Sequence, residues 1–134
     1  MASRSESVAR KDDDRTAAVD FRLARNAVIA DYRAKRITRE DVCDAHPELL
    51  RAAKAGRRTN EECPICEADA LVHVTYAFGP RLPARGRCVD TAAEMRRLDQ
   101  SGDELSCYVV EVCPTCKWNH LVRRVPLGGR RPRR

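Results

Sequence analysis

Two Cys-x-x-Cys pairs constrain the fold of this 134-residue chain more than any other feature. They are separated by 46 residues and read Cys63-Pro64-Ile65-Cys66 and Cys113-Pro114-Thr115-Cys116. Each such turn places two thiolates on one side of a tight loop, so two turns can complete a closed four-sulfur shell around one ion. We therefore predict one structural zinc ion bound by Cys63, Cys66, Cys113 and Cys116.

Two redox functions remain as alternatives for the same cysteines. A rubredoxin-like iron site uses four cysteines in similar turns, but those turns favour glycine directly after the second cysteine, where this chain has Glu67 and Lys117. A thioredoxin-like dithiol needs one motif at the start of a helix within a strand-helix-strand unit. Two matched motifs fit that context poorly.

The other three of the seven cysteines, Cys43, Cys88 and Cys107, have no metal-site spacing and are interpreted as small buried apolar residues. An odd number of cysteines argues against complete disulfide pairing. The first 20 residues contain no apolar core of a signal peptide, and no segment approaches the roughly 20 apolar residues of a membrane span. We expect a cytoplasmic protein without membrane contact.

Sequence patterning predicts an α+β fold in four parts. A disordered arm covers residues 1–14, and a helical segment of two to three helices covers residues 15–56. A zinc-ribbon domain covers residues 57–125, and a disordered basic tail covers residues 126–134. Helical periodicity predicts the first helix over residues 15–35. Thr38 and Asp41 form a capping box that begins a second, short helix ending near Asp44. Pro47 and Gly56 mark the start and the end of a third helix.

The predicted ribbon contains a three-stranded antiparallel sheet and one inserted helix. Runs of β-branched and aromatic residues indicate strands over residues 70–78, 105–112 and 118–125. Thr91 and Glu94 form a capping box that begins the inserted helix over residues 91–100. Residues 56–60 are interpreted as a linker and residues 79–87 as an irregular basic loop.

The net charge of +6 is concentrated at the C-terminal end of the chain. From Lys117 onward there are seven basic residues and no acidic one, so the preceding residues carry 19 basic and 20 acidic groups and are almost neutral. Helical spacing also places four arginines on one side of the first helix. Trp118 and His120 share a strand face, where Trp118 either packs in the core or anchors a partner. The candidate partner-binding residues are Arg22, Arg25, Arg33, Arg36, Trp118, His120, Arg123, Arg124, Arg130, Arg131, Arg133 and Arg134.

Several segments together resemble a family of small, zinc-ribbon-like actinobacterial proteins classed as a domain of unknown function. The similarity runs from about Asp20 to Leu127 and is carried by Val42-Cys43-Asp44-Ala45, Leu49-Leu50-Arg51-Ala52-Ala53, Cys63-Pro64-Ile65-Cys66, Tyr76-Ala77-Phe78-Gly79 and the continuous run from Val110 to Leu121. The resemblance implies a cytoplasmic actinobacterial protein, which suits a composition of 22 Arg against 4 Lys. It implies no activity.

Catalytic motifs are missing from the sequence. It contains no serine elbow, no phosphate-cradling glycine loop and no obvious pair of carboxylates. We expect a non-catalytic zinc-ribbon binding or regulatory module that associates with a nucleoprotein machine, such as RNA polymerase or the ribosome, or with nucleic acid directly. A small-molecule substrate is not expected. The alternative is a rubredoxin-like or thiol-redox protein.

Overall fold

The computed structural model describes residues 18–129 of the chain. Its elements, in chain order, are β1 (Val19–Asp20), α1 (Arg22–Arg33), α2 (Arg39–Val42), α3 (Pro47–Ala53), β2 (Arg57–Glu62), β3 (Ala70–Phe78), β4 (Arg87–Val89), α4 (Ala92–Asp99), β5 (Glu104–Val112) and β6 (Asn119–Gly128). The predicted arm at residues 1–14 and the last five residues of the predicted tail lie outside the described residues.

The strands form one antiparallel sheet, so the predicted α+β class is confirmed. The strand order is β1-β6-β5-β3-β2, and β4 also pairs with β3. The three strands predicted from the sequence are present as the neighbouring strands β3, β5 and β6. The sheet nevertheless has six strands rather than three.

The additional strands lie where the sequence indicated irregular structure. β2 replaces the predicted linker, β4 lies at the end of the predicted basic loop, and β6 continues through Gly128 into the predicted tail. β2 is mostly exposed and rich in charged residues, so it shows no alternation of apolar and polar residues. Its strand conformation comes from hydrogen bonding to the edge of β3, which a local pattern does not reveal.

The first helix also begins later than predicted. Residues 19 and 20 pair with β6, and the helix starts at Arg22 rather than at residue 15. The Asp20 carboxylate accepts a hydrogen bond from the Arg22 backbone N–H. The later helices start as predicted, since Thr38 and Thr91 cap α2 and α4 with their hydroxyl groups and Pro47 is the first residue of α3.

The two faces of the sheet are covered differently. On one face, α1 and the cysteine turns pack around Leu71, and α4 packs around Ala77 and Cys107. On the other face, α3 covers Val72, Val74 and Val112, and the rest of that face is only half-buried. Among residues 18–129, no helix combines the length and the apolar character that crossing a bilayer requires.

Candidate metal centre

The sheet brings the two Cys-x-x-Cys turns together. The first turn connects β2 with β3, and the second connects β5 with β6. Because β3 and β5 are antiparallel neighbours, with Val72 opposite Val112, the start of β3 lies beside the end of β5. Both turns therefore lie at the same end of the sheet, although they are far apart in the chain.

The four sulfur atoms have the spacing of a tetrahedral site. Cys63 Sγ lies 3.7 Å from Cys116 Sγ, and Cys66 Sγ lies 3.7 Å from Cys113 Sγ. All four lie within 4.8 Å of one another. With Zn–S bonds of about 2.3 Å, a regular tetrahedron has sulfur–sulfur edges of about 3.8 Å. The four cysteines that the sequence singled out thus form a cluster that can hold a metal ion.

The backbone of each turn supports the sulfur atoms in a similar way. The N–H groups of Ile65, Ala68 and Cys116 point to the sulfur atoms of Cys63, Cys66 and Cys113, each at 3.4 Å. Glu67 and Lys117, which directly follow the second cysteine of each pair, have φ values of 58° and 78°. This is the left-handed region that glycine adopts without steric cost, which explains why turns of this kind favour glycine there.

Asp69 joins the two turns, although no sequence pattern predicts this role. Its Oδ2 atom accepts a hydrogen bond of 2.9 Å from the Thr115 hydroxyl, which lies inside the second turn. Its Oδ1 accepts from the Ala70 N–H and from Arg58. The bonds from Thr115 and from the Ala70 N–H hold the pKa of the Asp69 carboxyl below its usual range. No motif marks this residue, because its partner is 46 positions away.

Two of the four thiols, those of Cys113 and Cys116, resist ionisation without a nearby cation. Burial raises the pKa of Cys113 to about 11, and burial together with the nearby Cys43 and Cys63 thiols raises the pKa of Cys116. Burial also opposes ionisation of Cys66, but the Ala68 N–H and the neighbouring thiols lower its pKa overall. A coordinated metal ion reverses this pattern, since a thiol bound to such an ion is deprotonated outright.

Cys43 is a fifth thiol at the cluster. Its Sγ lies 3.5 Å from Cys116 Sγ, and its side chain is half-buried against the same hydrophobic core. The interpretation of Cys43 as a small residue in apolar packing is therefore incomplete. Cys107 is buried beneath α4, and Cys88 is half-buried on the other face of the sheet beside α3.

Two candidate partner-binding residues are in the core instead. Trp118 is 1% exposed, and Arg25 is 9% exposed. The Trp118 Nε1–H and the Arg25 Nε–H both donate 2.7 Å hydrogen bonds to Oε2 of Glu111, which is fully buried. The side of α1 with the predicted basic stripe thus faces the sheet at Arg25 and Ile29, because a buried carboxylate there provides the arginine with a partner.

The other candidate partner-binding residues differ in how exposed they are and in whether they already contact a protein group. Arg22 and Arg36 contact Glu61 and Asp31 at 3.6 Å and 3.0 Å, and Arg33 is exposed. His120 is half-buried and stacks on Trp118, with a ring-centroid distance of 5.9 Å. Arg123 and Arg124 are half-buried in β6, opposite Val109 and Tyr108. Arg130, Arg131, Arg133 and Arg134 lie outside the described residues.

The half-buried part of the sheet face beside α3 carries aromatic side chains, of which Tyr76 also packs against the cluster beneath α3. We call this surface the aromatic face and define it by Tyr76, Phe78, Tyr108, Val110 and Leu121, which line one open depression. The rings of Phe78 and Tyr108 meet edge to face, with centroids 5.4 Å apart. Since Arg124 lies directly opposite Tyr108 in the ladder, its side chain projects from the same face.

Sequence comparison supports the resemblance drawn from the motifs. Residues 13–134 match the profile of a family of unknown function, DUF5318. The uncharacterized proteins Rv0049 of Mycobacterium tuberculosis and Mb0050 of Mycobacterium bovis are each 42% identical to this chain over 117 residues, which is 87% of this chain and 85% of each relative. No solved structure matches the chain significantly. The chain therefore belongs to DUF5318, and its mycobacterial relatives agree with the expected actinobacterial family.

Proposed function

We propose that this protein is a non-catalytic zinc-ribbon module of the cytoplasm that contacts single-stranded nucleic acid, alone or within a nucleoprotein machine, through the aromatic face. The observation that carries the proposal is the set of three half-buried aromatic rings, with Arg124 beside them, on one face of an antiparallel sheet. Tyr76, Phe78 and Tyr108 are these rings.

Zinc has a structural role in this proposal. The cluster has four sulfur ligands with tetrahedral spacing, so a zinc ion bound there has no open position for an activated water. The ion cross-links the β2–β3 and β5–β6 connections, and its binding free energy becomes folding free energy. The aromatic face is thereby held rigid.

Nucleic acid fits the aromatic face better than a small molecule does. Bases stack on aromatic rings without regard to sequence, and a nearby arginine contacts phosphate or stacks on a base. The depression at Tyr108 is open rather than enclosed, which suits an extended strand. The positive charge from residue 117 onward adds attraction for the phosphate backbone.

The metal assignment is tested by elemental analysis of the purified chain. We expect one zinc per chain and no visible absorption, whereas a rubredoxin-like iron site would be coloured. Cys63→Ser should lose the metal and unfold the ribbon, while the matched control Cys88→Ser should retain one equivalent. Normal zinc content in Cys63→Ser would contradict the assignment.

Binding is tested by fluorescence anisotropy with labelled single-stranded RNA and DNA over a range of salt concentrations. Loss of one stacking ring removes about 1–3 kcal/mol, so Tyr108→Ala should weaken binding about 5- to 150-fold. Tyr108→Phe keeps the ring and should bind normally. Arg124→Gln should reduce the salt slope by about 0.7, the value for one phosphate contact on a single strand. No saturable binding, or equal affinity in Tyr108→Ala, would contradict the proposal.

A further inference from the structure

A second group of potential ligands lies away from the four cysteines. One ligand atom each of Glu61, His73 and Glu111 lies within 4.8 Å of the other two. His73 and Glu111 face each other across the β3–β5 ladder, and Glu61 belongs to β2 on the other side of β3. The antiparallel pairing therefore brings together one imidazole and two carboxylates from three strands.

Two atoms of this group are buried without a hydrogen-bond partner among the described residues. They are His73 Nε2 and Glu111 Oε1. His73 is 8% exposed and Glu111 is fully buried, so bulk water does not reach these two atoms. A buried polar atom left without a partner costs about 1–3 kcal/mol, which points to a bound species between them.

The surroundings of Glu111 resemble the support around a metal-binding carboxylate. Its Oε2 is held by the 2.7 Å hydrogen bonds from Arg25 and Trp118, which fix the carboxylate plane and leave Oε1 free to bind a ligand. Hydrogen bonds that orient a ligating carboxylate in this way are typical of metal sites. The Glu61 side chain is 48% exposed, which provides access for an ion from the solvent.

We propose that Glu61, His73 and Glu111 form a second metal site, which binds a divalent first-row transition ion independently of the four cysteines. An imidazole with two carboxylates suits Mn²⁺, Fe²⁺, Co²⁺ or Zn²⁺ better than the soft ions that thiolates select. Three protein ligands leave positions for water, unlike the closed sulfur cluster. The sheet would thus bind a divalent metal ion on the face opposite the aromatic face.

Arg57 opposes ion binding at this site and provides a sensitive test. Its Nη2 lies 3.3 Å from His73 Nδ1. A guanidinium only donates, so this contact leaves the imidazole proton on Nε2. Binding of the ion at Nε2 moves that proton to Nδ1 and displaces the exposed Arg57 side chain. Removing the guanidinium should therefore strengthen ion binding.

The test uses Mn²⁺, which thiolates bind poorly, with the full chain and its native zinc content. The free ion is measured by electron paramagnetic resonance, and the zinc content is measured in parallel. We expect about one Mn²⁺ per wild-type chain. Glu61→Gln and His73→Gln should weaken Mn²⁺ binding at least tenfold, and Arg57→Gln should strengthen it severalfold. Zinc content should stay constant.

Glu62→Gln is the matched control, since Glu62 is an exposed neighbour of Glu61 outside the group. It should bind Mn²⁺ as the wild type does. Glu61→Gln keeps the test interpretable if His73→Gln unfolds, because the Glu61 side chain is on the surface. The proposal is overturned if the wild type shows no saturable Mn²⁺ binding, or if Glu61→Gln binds the ion as Glu62→Gln does. Neither result depends on nucleic-acid binding.

Discussion

Arg25 gives the sharpest test of the core, because the sequence and the structure assign it opposite environments. As part of a basic stripe on α1 it would be exposed, whereas in the structure its side chain is 11% exposed and paired with Glu111. The substitution Arg25→Met keeps most of the aliphatic length and removes the charge. It leaves the buried Glu111 carboxylate with the Trp118 N–H as its remaining hydrogen-bond donor among the described residues.

The magnitude follows from the burial of the pair. Removing one partner of a buried ion pair generally costs about 3–5 kcal/mol, because the other charge stays desolvated. The Trp118 hydrogen bond remains, so we expect a loss near the lower limit, about 3 kcal/mol. For a domain of this size that corresponds to a fall in Tm of roughly 10 °C. The double variant Arg25→Met, Glu111→Gln should be more stable than Arg25→Met alone, since it has no unpaired charge.

The measurement is urea denaturation at a fixed zinc concentration, followed by tryptophan fluorescence. Trp118 is the single tryptophan of the chain and is 1% exposed, so its emission reports loss of this part of the core. Arg33→Met on the same helix is the control. Because Arg33 is exposed, its replacement should change stability by less than about 0.5 kcal/mol. If Arg25→Met and Arg33→Met are equally stable, the buried pairing of Arg25 with Glu111 is refuted.

Three further predictions concern the metal centre and β6. Cys43→Ala should retain one equivalent of zinc, whereas Cys116→Ser should lose it, as measured by elemental analysis. Loss of zinc in both variants would show that Cys43 is a ligand. Lys117→Gly should raise the free energy of unfolding by about 1 kcal/mol in urea denaturation, because glycine adopts the φ of 78° at this position without steric strain. An unchanged denaturation midpoint would show that Lys117 is not strained. Truncation after Pro126 should lower Tm, since Leu127 packs against the core beneath α4, and an unchanged Tm would place that packing in doubt.

Much of the fold could be predicted because its signals are local. Capping boxes at Thr38 and Thr91 and the proline at position 47 mark helix starts through contacts within a few residues. The central strands β3, β5 and β6 contain enough β-branched and aromatic residues to be recognised individually. Edge strands such as β2 escaped prediction because their side chains are exposed and only their backbone pairing defines them.

The residues of the candidate sites also divide into those that a local motif marks and those that only long-range contacts bring together. The sequence by itself identified the four cysteines of the cluster, because the spacing within each Cys-x-x-Cys turn already brings two sulfur atoms together. Only the tertiary structure decided that Arg25 points inward, that Cys43 lies beside Cys116, and that Glu61, His73 and Glu111 meet. These contacts join residues far apart in the chain, up to 86 positions for Arg25 and Glu111. They exist because β5 pairs with β3 and β6 while α1 packs across the face that carries Glu111, and no local pattern encodes that long-range pairing.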